Sequence, residues 1–421
     1  MKKIILITSD FPYSRGEQFL ETEIKYYRYE NVKVIILPIK KNSKKRVIPE
    51  NIVVDDYIAD YIAENRRMNR IIRIYYFFKF LKDRIFYKEL CSEKWVPLKK
   101  LKIFFTSIYS YGMHKKIFNS YFSKMDDLDK TLVYTYWNNE VTYALQSLKQ
   151  KYGYKLISRI HRGDIYKEIK TYNYMPLKKH FTTNIEKIFT ITESANFYLK
   201  NTYGFSEDIL QLSRLGVEDK GIITKCSKEN NLYLVSCSFL KKVKQIHKII
   251  ESLELISLKR KDVFFYWTHI GSGKLYNELV NYAKKKLDNI KNVSYNFVGE
   301  YENYKIYEFY KNNPVDLFIN VSESEGVPVS IMEAMSCHIP VIAPDVGGIK
   351  DMVIDGYNGV LLKSNFEIKD IISALNNIEF FKNKGIRDNS YKIFLDKYNA
   401  KKNYPKFVKD LIKIVKNDTM I

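Results

Sequence analysis

The stretch from Val315 to Leu362 constrains this chain more than any other. The apolar run Val315 to Val321 predicts a buried strand, Ser322 to Val327 a tight turn, and a helix begins near Pro328. The first N–H groups of a helix and the positive end of its dipole, about half an elementary charge, make such a junction an anion site. Gly326 lets the backbone come close to a ligand there. Two carboxylates flank the junction, Glu325 in the turn and Glu333 within the helix, with seven residues between them. A second strand, Pro340 to Ala343, ends at a turn in which Gly347 and Gly348 open a further helix. Adjacent parallel strands would then present polar groups at their carboxyl ends, where open α/β sheets bind ligands. Singly, an acidic residue near a helix start and a glycine pair in a turn are ordinary structural features. Their joint occurrence points to a site.

At 421 residues the chain is too long for one typical core, so two domains are expected. The 46% hydrophobic content with periodic patterning indicates a folded protein. Cys91, Cys226, Cys237 and Cys337 are scattered without metal-binding spacing, which predicts reduced, buried thiols in a cytoplasmic protein. The N-terminal apolar run Ile4 to Thr8 is too short for a signal peptide and Asp10 follows it, so a first strand is expected, with no export. No apolar stretch approaches the length of a membrane span. The 70 Lys and Arg against 48 Asp and Glu give a formal charge of +22, which attracts an anionic partner, either nucleic acid or the inner leaflet of a membrane.

In chain order, residues 2–8 and 31–38 predict parallel strands around a helix from Glu17 to Tyr29, the opening of a doubly wound sheet. Residues 64–123 set Arg66, Arg67, Arg70 and Arg73 among aromatic and aliphatic residues at helical spacing. That pattern fits either a helix resting on an anionic membrane or a long helix packing its apolar face inward. Strands are expected at 131–135, 154–160, 187–191 and 209–214, with helices near 140–151 and 193–203. His161 and Asp164 follow the strand at 154–160, where a parallel sheet delivers residues to a ligand. Residues 219–230 are polar and aperiodic, a linker between a domain at 1–218 and another at 231–398. The second sheet opens at 232–236, with further strands at 263–270 and 293–298.

The run Glu325-Gly326-Val327-Pro328 with Glu333-Ala334-Met335, then Ile339 to Ala343 and Gly347-Gly348, resembles the donor-binding signature of the retaining glycosyltransferases of family four. The resemblance implies the GT-B fold, an α/β architecture of two Rossmann-like doubly wound domains facing across a cleft, with the helix at 399–421 crossing back to the first. It implies a nucleotide-sugar donor, with Glu325 on hydroxyls of the hexose, Glu333 on the ribose, and N–H groups around Gly326, Val327, Pro328 and Val329 lining the sugar and phosphate pocket. The family's first loop touches the donor phosphates or the acceptor, which brings in Arg15 and Gly16; a surface turn is the alternative. Lys244 matches a lysine that clamps the diphosphate, and Ser238 stands near the usual arginine. Gly271 and Gly299 fall at turns near the nucleotide. His161 and Asp164 match the family's segment at the acceptor face, with Asp164 orienting the acceptor hydroxyl or holding His161 in one tautomer. Tyr134 to Asn139 would line the same face.

Two positions depart from the pattern: His338 replaces a glycine after the helix, and Asp351 replaces a glutamate. A left-handed cap made by His338 costs about 1 kcal/mol and implies a slightly altered cap with an intact site. The expected reaction moves a hexosyl group with retention onto a glycan or lipid-linked glycan, without metal or cofactor. A nucleotide-sugar 2-epimerase of the same fold and a protein that only binds are the rival readings. No nucleic-acid module pattern appears, so nucleic acid is not the expected partner.

Overall fold

The computed structural model describes all residues except 1, 14–16, 18, 30–31, 43, 67–69, 93–97 and 417–421. The chain forms two compact units, Met1–Arg214 with Tyr404–Ile421, and Leu215–Asn403.

Seven strands build the first unit: β1 (Lys2–Thr8), β2 (Val32–Pro38), β3 (Ile52–Val54), β4 (Thr131–Thr135), β5 (Lys155–Arg159), β6 (Lys187–Thr190) and β7 (Leu210–Leu212). They pair in parallel in the order β3-β2-β1-β4-β5-β6-β7. Buried on both faces, β1 and β4 read as continuous apolar runs with no polar alternation, as sheets covered on both sides do. One face packs on Ile117, Phe118 and Phe122 of the helix Leu98–Phe122. The other is covered by Phe407, Val408 and Leu411 of the last helix, Ala400–Lys416.

The second unit has β8 (Asn231–Cys237), β9 (Phe264–Ile270), β10 (Val293–Phe297), β11 (Leu317–Ile319), β12 (Val341–Pro344) and β13 (Gly359–Leu362), all parallel, in the order β10-β9-β8-β11-β12-β13. This is the Rossmann order, whose direction reverses between β8 and β11. The first unit reverses between β1 and β4.

Several expectations need correction. The helix predicted from Glu17 begins only at Leu20, runs four residues and continues as a 3-10 helix over Ile24–Tyr29. Glu17 itself is left-handed, with φ of 57°, because its side chain turns back onto the end of β1. The strands β3 and β13 were too short to register as periodic runs. All four cysteines are free, but Cys91 and Cys226 are exposed, not buried. In residues 64–123 the core role is evident for the helix Leu98–Phe122, which buries Phe104, Ile108 and Tyr111. The helices Arg70–Leu81 and Arg84–Ser92 instead leave Ile74, Tyr75, Phe78 and Tyr87 exposed. The side chains of Arg66, Arg67, Arg70 and Arg73 lie outside the described set. Among the described residues no helix is long and apolar enough to cross a membrane.

Candidate functional site

The β8/β11 reversal brings together residues far apart in sequence. After β8 the chain turns through the short 3-10 helix Lys242–Lys244; after β11 it turns through Asn320 to Pro328 into the helix Val329–Ser336. The two turns are joined by Glu323 N–H donating to the Val243 carbonyl at 2.8 Å. That register sets Lys244 Nζ 2.6 Å from Glu325 Oε1, with both side chains largely buried. Asn320 Nδ2 also donates to Glu325 Oε1, at 3.1 Å. A cation and a carboxylate with hydroxyl-binding capacity thus share one spot beside a helix N-terminus that no side chain caps.

Behind Glu325 the second glycine turn is seated. Gly348 N–H donates to the Gly326 carbonyl at 2.7 Å, and Gly347, at φ of 59°, lies where a Cβ would come 2.0 Å from the Glu325 carbonyl oxygen. Only glycine satisfies both the dihedral and the approach. Gly347→Ala is expected to cost about 1–3 kcal/mol of stability and to displace the Glu325 turn, measured by urea unfolding of the full chain.

Within the helix, Glu333 is buried and accepts a hydrogen bond from Asn303 Nδ2. Burial pushes its carboxyl up to about 7, and the Asn303 bond opposes this. Its charge helps hold the Cys237 thiol and the Tyr307 and Tyr310 hydroxyls above their usual ranges, where burial is the larger cause. Val327 is buried beneath the turn, and Pro328 and Val329 open the helix. His338 does adopt the left-handed cap, at φ of 60°, and its cost is offset by stacking on Tyr391 with ring centroids 4.1 Å apart. Asp351 ends the 3-10 helix Ile349–Asp351.

The neighbouring strand ends complete the floor. Gly271, at φ of 142°, leaves its missing Cβ 2.0 Å from the Ser238 carbonyl oxygen, and its N–H donates to the Gly299 carbonyl at 2.7 Å. Gly299 faces open space. The hydroxyl of Ser238 is buried without a partner among the described residues. The Phe297 carbonyl accepts from the Tyr276 hydroxyl at 3.1 Å.

In the first unit, Asp164 does not touch the imidazole of His161. Its two oxygens accept from the backbone N–H groups of His161, at 3.0 Å, and Asn138, at 2.6 Å. The tautomer-holding role is therefore corrected: Asp164 fixes the backbone, because the turn into the four-residue helix Arg162–Ile165 aims its carboxylate at free N–H groups. Lys178 is buried alongside and donates to both oxygens of Asn138. Burial pushes Asp164 up and Lys178 down, and the charge of each opposes the other's shift. The His161 ring hydrogen-bonds the Tyr136 backbone and packs against Tyr136 and Trp137 at 4.7 and 4.8 Å. Burial lowers its pKa to about 3, so the imidazole is neutral, and its buried Nε2 has no hydrogen-bond partner among the described residues.

One functional-looking residue escaped the sequence reading. Glu17 accepts from the N–H groups of Ser9, Asp10 and Phe11 and from Trp137 Nε1. The chain's own carboxylate occupies the nest after β1 that an anion would use. No spacing rule links Glu17 to Trp137, 120 residues away. The candidates Arg15 and Gly16 lie outside the described residues.

The family model of the glycosyl transferases group 1 matches residues 223–411. A glycosyltransferase of Methanocaldococcus jannaschii whose activity is uncharacterised is 34% identical over 128 residues, 30% of this chain and 35% of that protein. The O-antigen biosynthesis glycosyltransferase WbnH of Escherichia coli is 36% identical over 99 residues, 24% of this chain and 26% of that one. The chain thus spans about a third or less of the length of these relatives. The apo lipopolysaccharide outer core galactosyltransferase WaaB superposes with a TM-score of 0.67 at 15% identity, over 98% of this chain and 99% of that one. That likeness shows the fold: GT-B, with two Rossmann-like units.

Proposed function

We propose that this protein is a retaining hexosyltransferase that moves a sugar from a nucleotide donor to a hydroxyl of a glycan or lipid-linked glycan, in the assembly of a bacterial surface polysaccharide. The observation that carries the reading is the meeting of Lys244, Glu325 and the start of the helix Val329–Ser336 at the β8/β11 reversal, with buried Glu333 in that helix. Residues 231–398 take the donor and residues 1–218 the acceptor. Relatives and structural neighbours that act on O-antigen and lipopolysaccharide support the acceptor class. The exposed apolar side chains Ile74, Tyr75 and Phe78, on a helix of a chain with charge +22, support peripheral contact with the inner face of an anionic membrane.

In this reading the ribose hydroxyls donate to Glu333, the hexose hydroxyls donate to Glu325, and Lys244 with the helix dipole meets the diphosphate. The bond from the anomeric carbon to the phosphate oxygen breaks as the bond to the acceptor oxygen forms on the same face. The acceptor proton passes to the leaving phosphate, so no protein nucleophile takes part. His161 Nε2, neutral and with no partner among the described residues, accepts a hydrogen bond from a sugar hydroxyl.

The test is thermal shift with UDP, GDP, ADP and their sugar conjugates, on the native chain and on Glu333→Ala. One nucleotide should stabilise the native chain and not the variant; no response to any of them sinks the reading. A pH dependence follows. A protonated carboxyl offers fewer acceptor sites than the carboxylate, so affinity should fall, by up to about tenfold, from pH 8 to pH 6 as Glu333 takes up a proton. A flat profile would mean that Glu333 does not meet the ribose.

A further inference from the structure

Glu17 is a buried charge that the donor chemistry does not use. Its backbone is left-handed, at φ of 57°, a conformation that strains any residue but glycine. Burying its carboxylate adds a desolvation cost. A glycine at this position, with water in the nest after β1, would satisfy the same N–H groups without either cost. The carboxylate therefore supplies something that water does not.

What it supplies is a link between two turns. Oε1 accepts from the Ser9 N–H at 2.9 Å and from Trp137 Nε1, while Oε2 accepts from the Asp10 and Phe11 N–H groups at 3.0 and 2.8 Å. Ser9 to Phe11 follow β1 and Trp137 follows β4, so one side chain spans the β1/β4 reversal. The left-handed turn also directs the chain that comes after it. The Glu17 carbonyl accepts from the Leu20 N–H at 3.0 Å, and Phe19 stacks on His161 with ring centroids 6.0 Å apart. Trp137 packs on the same imidazole at 4.8 Å and Tyr136 at 4.7 Å. Of these three rings, Glu17 holds Trp137 by its carboxylate and Phe19 by its turn.

We propose that Glu17 is a positioning residue, which fixes Trp137 and Phe19 against His161 so that His161 Nε2 is aimed at a sugar hydroxyl of the acceptor. The inference rests on the transferase reading and adds to it a residue that touches neither substrate. A hydrogen bond at Nε2 depends on the direction of the imidazole, so loosening two of the rings packed on it weakens acceptor binding.

The test uses the full chain with Glu17→Gly, which suits the left-handed backbone, removes the carboxylate and empties the nest. In proton–nitrogen NMR spectra the Trp137 indole N–H, assigned with Trp137→Phe, should lose the downfield position of a carboxylate-bound group. The His161 ring protons should shift with it as the neighbouring rings move. Acetate should restore both signals saturably; acetamide, its neutral counterpart, should not. Transfer is then followed from the nucleotide sugar selected by thermal shift to methyl glucoside, galactoside and mannoside. KM for the best of these acceptors should rise about tenfold with kcat held within about twofold, and acetate should reverse the rise. Glu17→Gln keeps the nest filled, so it should give a smaller rise that acetate leaves unchanged, and it serves if Glu17→Gly fails to fold. Unmoved His161 signals in both variants, an acceptor KM that stays native while the rings move, or no response to acetate in Glu17→Gly overturns the inference. So does a native chain that binds a nucleotide yet transfers to none of the three glycosides. A native chain that answers to no nucleotide defeats the transferase reading itself, and the NMR signals still decide whether Glu17 holds the rings.

Discussion

Lys244→Met is expected to lower kcat for hexosyl transfer by roughly 10²–10³-fold, the usual effect of removing one fixed group from a developing charge. Nucleotide affinity should change far less, because Glu333 and the helix start remain. The same substitution strips Glu325 of its cation and leaves only the Asn320 amide on that oxygen, so stability should also fall, by about 1–3 kcal/mol. Activity and stability can be separated by a double-mutant cycle. Lys244→Met combined with Glu325→Gln removes both charges and should regain most of the lost stability. Turnover should stay low, since under the proposed function neither the diphosphate nor the hexose then has its partner. If the double variant regained turnover, the pair would be a structural tie between two loops and nothing more.

The second large effect is on folding. Arg159 and Glu23 are both inaccessible to solvent, 3.4 Å apart, with Tyr134 accepting from Arg159 Nε at 3.2 Å and the Phe407 ring 4.2 Å from the guanidinium. Arg159→Met should cost about 3–5 kcal/mol, because it leaves Glu23 buried without its counter-charge. Burial already holds the Glu23 carboxyl above its usual range, against the pull of Arg159. Without the arginine it rises further, so the folded variant keeps its proton over a range in which the unfolded chain has lost it. Its stability must then fall as pH rises above the ordinary carboxylate range, and the penalty should be smaller at pH 5 than at pH 8. Urea unfolding at the two values measures this. Arg159→Met with Glu23→Leu should recover most of the loss at both. An equal penalty at pH 5 and pH 8 would mean that Glu23 is not the group left uncompensated.

Much of the fold was legible because its signals are local. The apolar runs that became β1, β4 and β9 are long enough to show a strand without help, and the helix Glu193–Tyr203 has its cap, Thr192, and its terminating Gly204 in place. Glu325 and Glu333 lie on one turn and one helix, so their joint placement follows from chain geometry alone. The strands β3 and β13 gave no such signal, being short and closed off by polar residues, Asn51 and Asp55 around one and Asn358 and Lys363 around the other. The role of Asp164 was misjudged because its partners are backbone N–H groups, which carry no residue identity. Glu17 was overlooked for the same reason.

From the sequence alone came the α/β class, the anion-binding junction at Pro328 and the two acidic residues beside it, since each depends on neighbours within about eight positions. Tertiary structure alone decided what those residues face. Lys244 meets Glu325 across 81 positions, Gly347 seats itself under the Glu325 carbonyl, and Glu17 closes the nest after β1. These are encounters at strand ends brought together by the order of the sheets, and pairing order is a non-local property that no local pattern encodes.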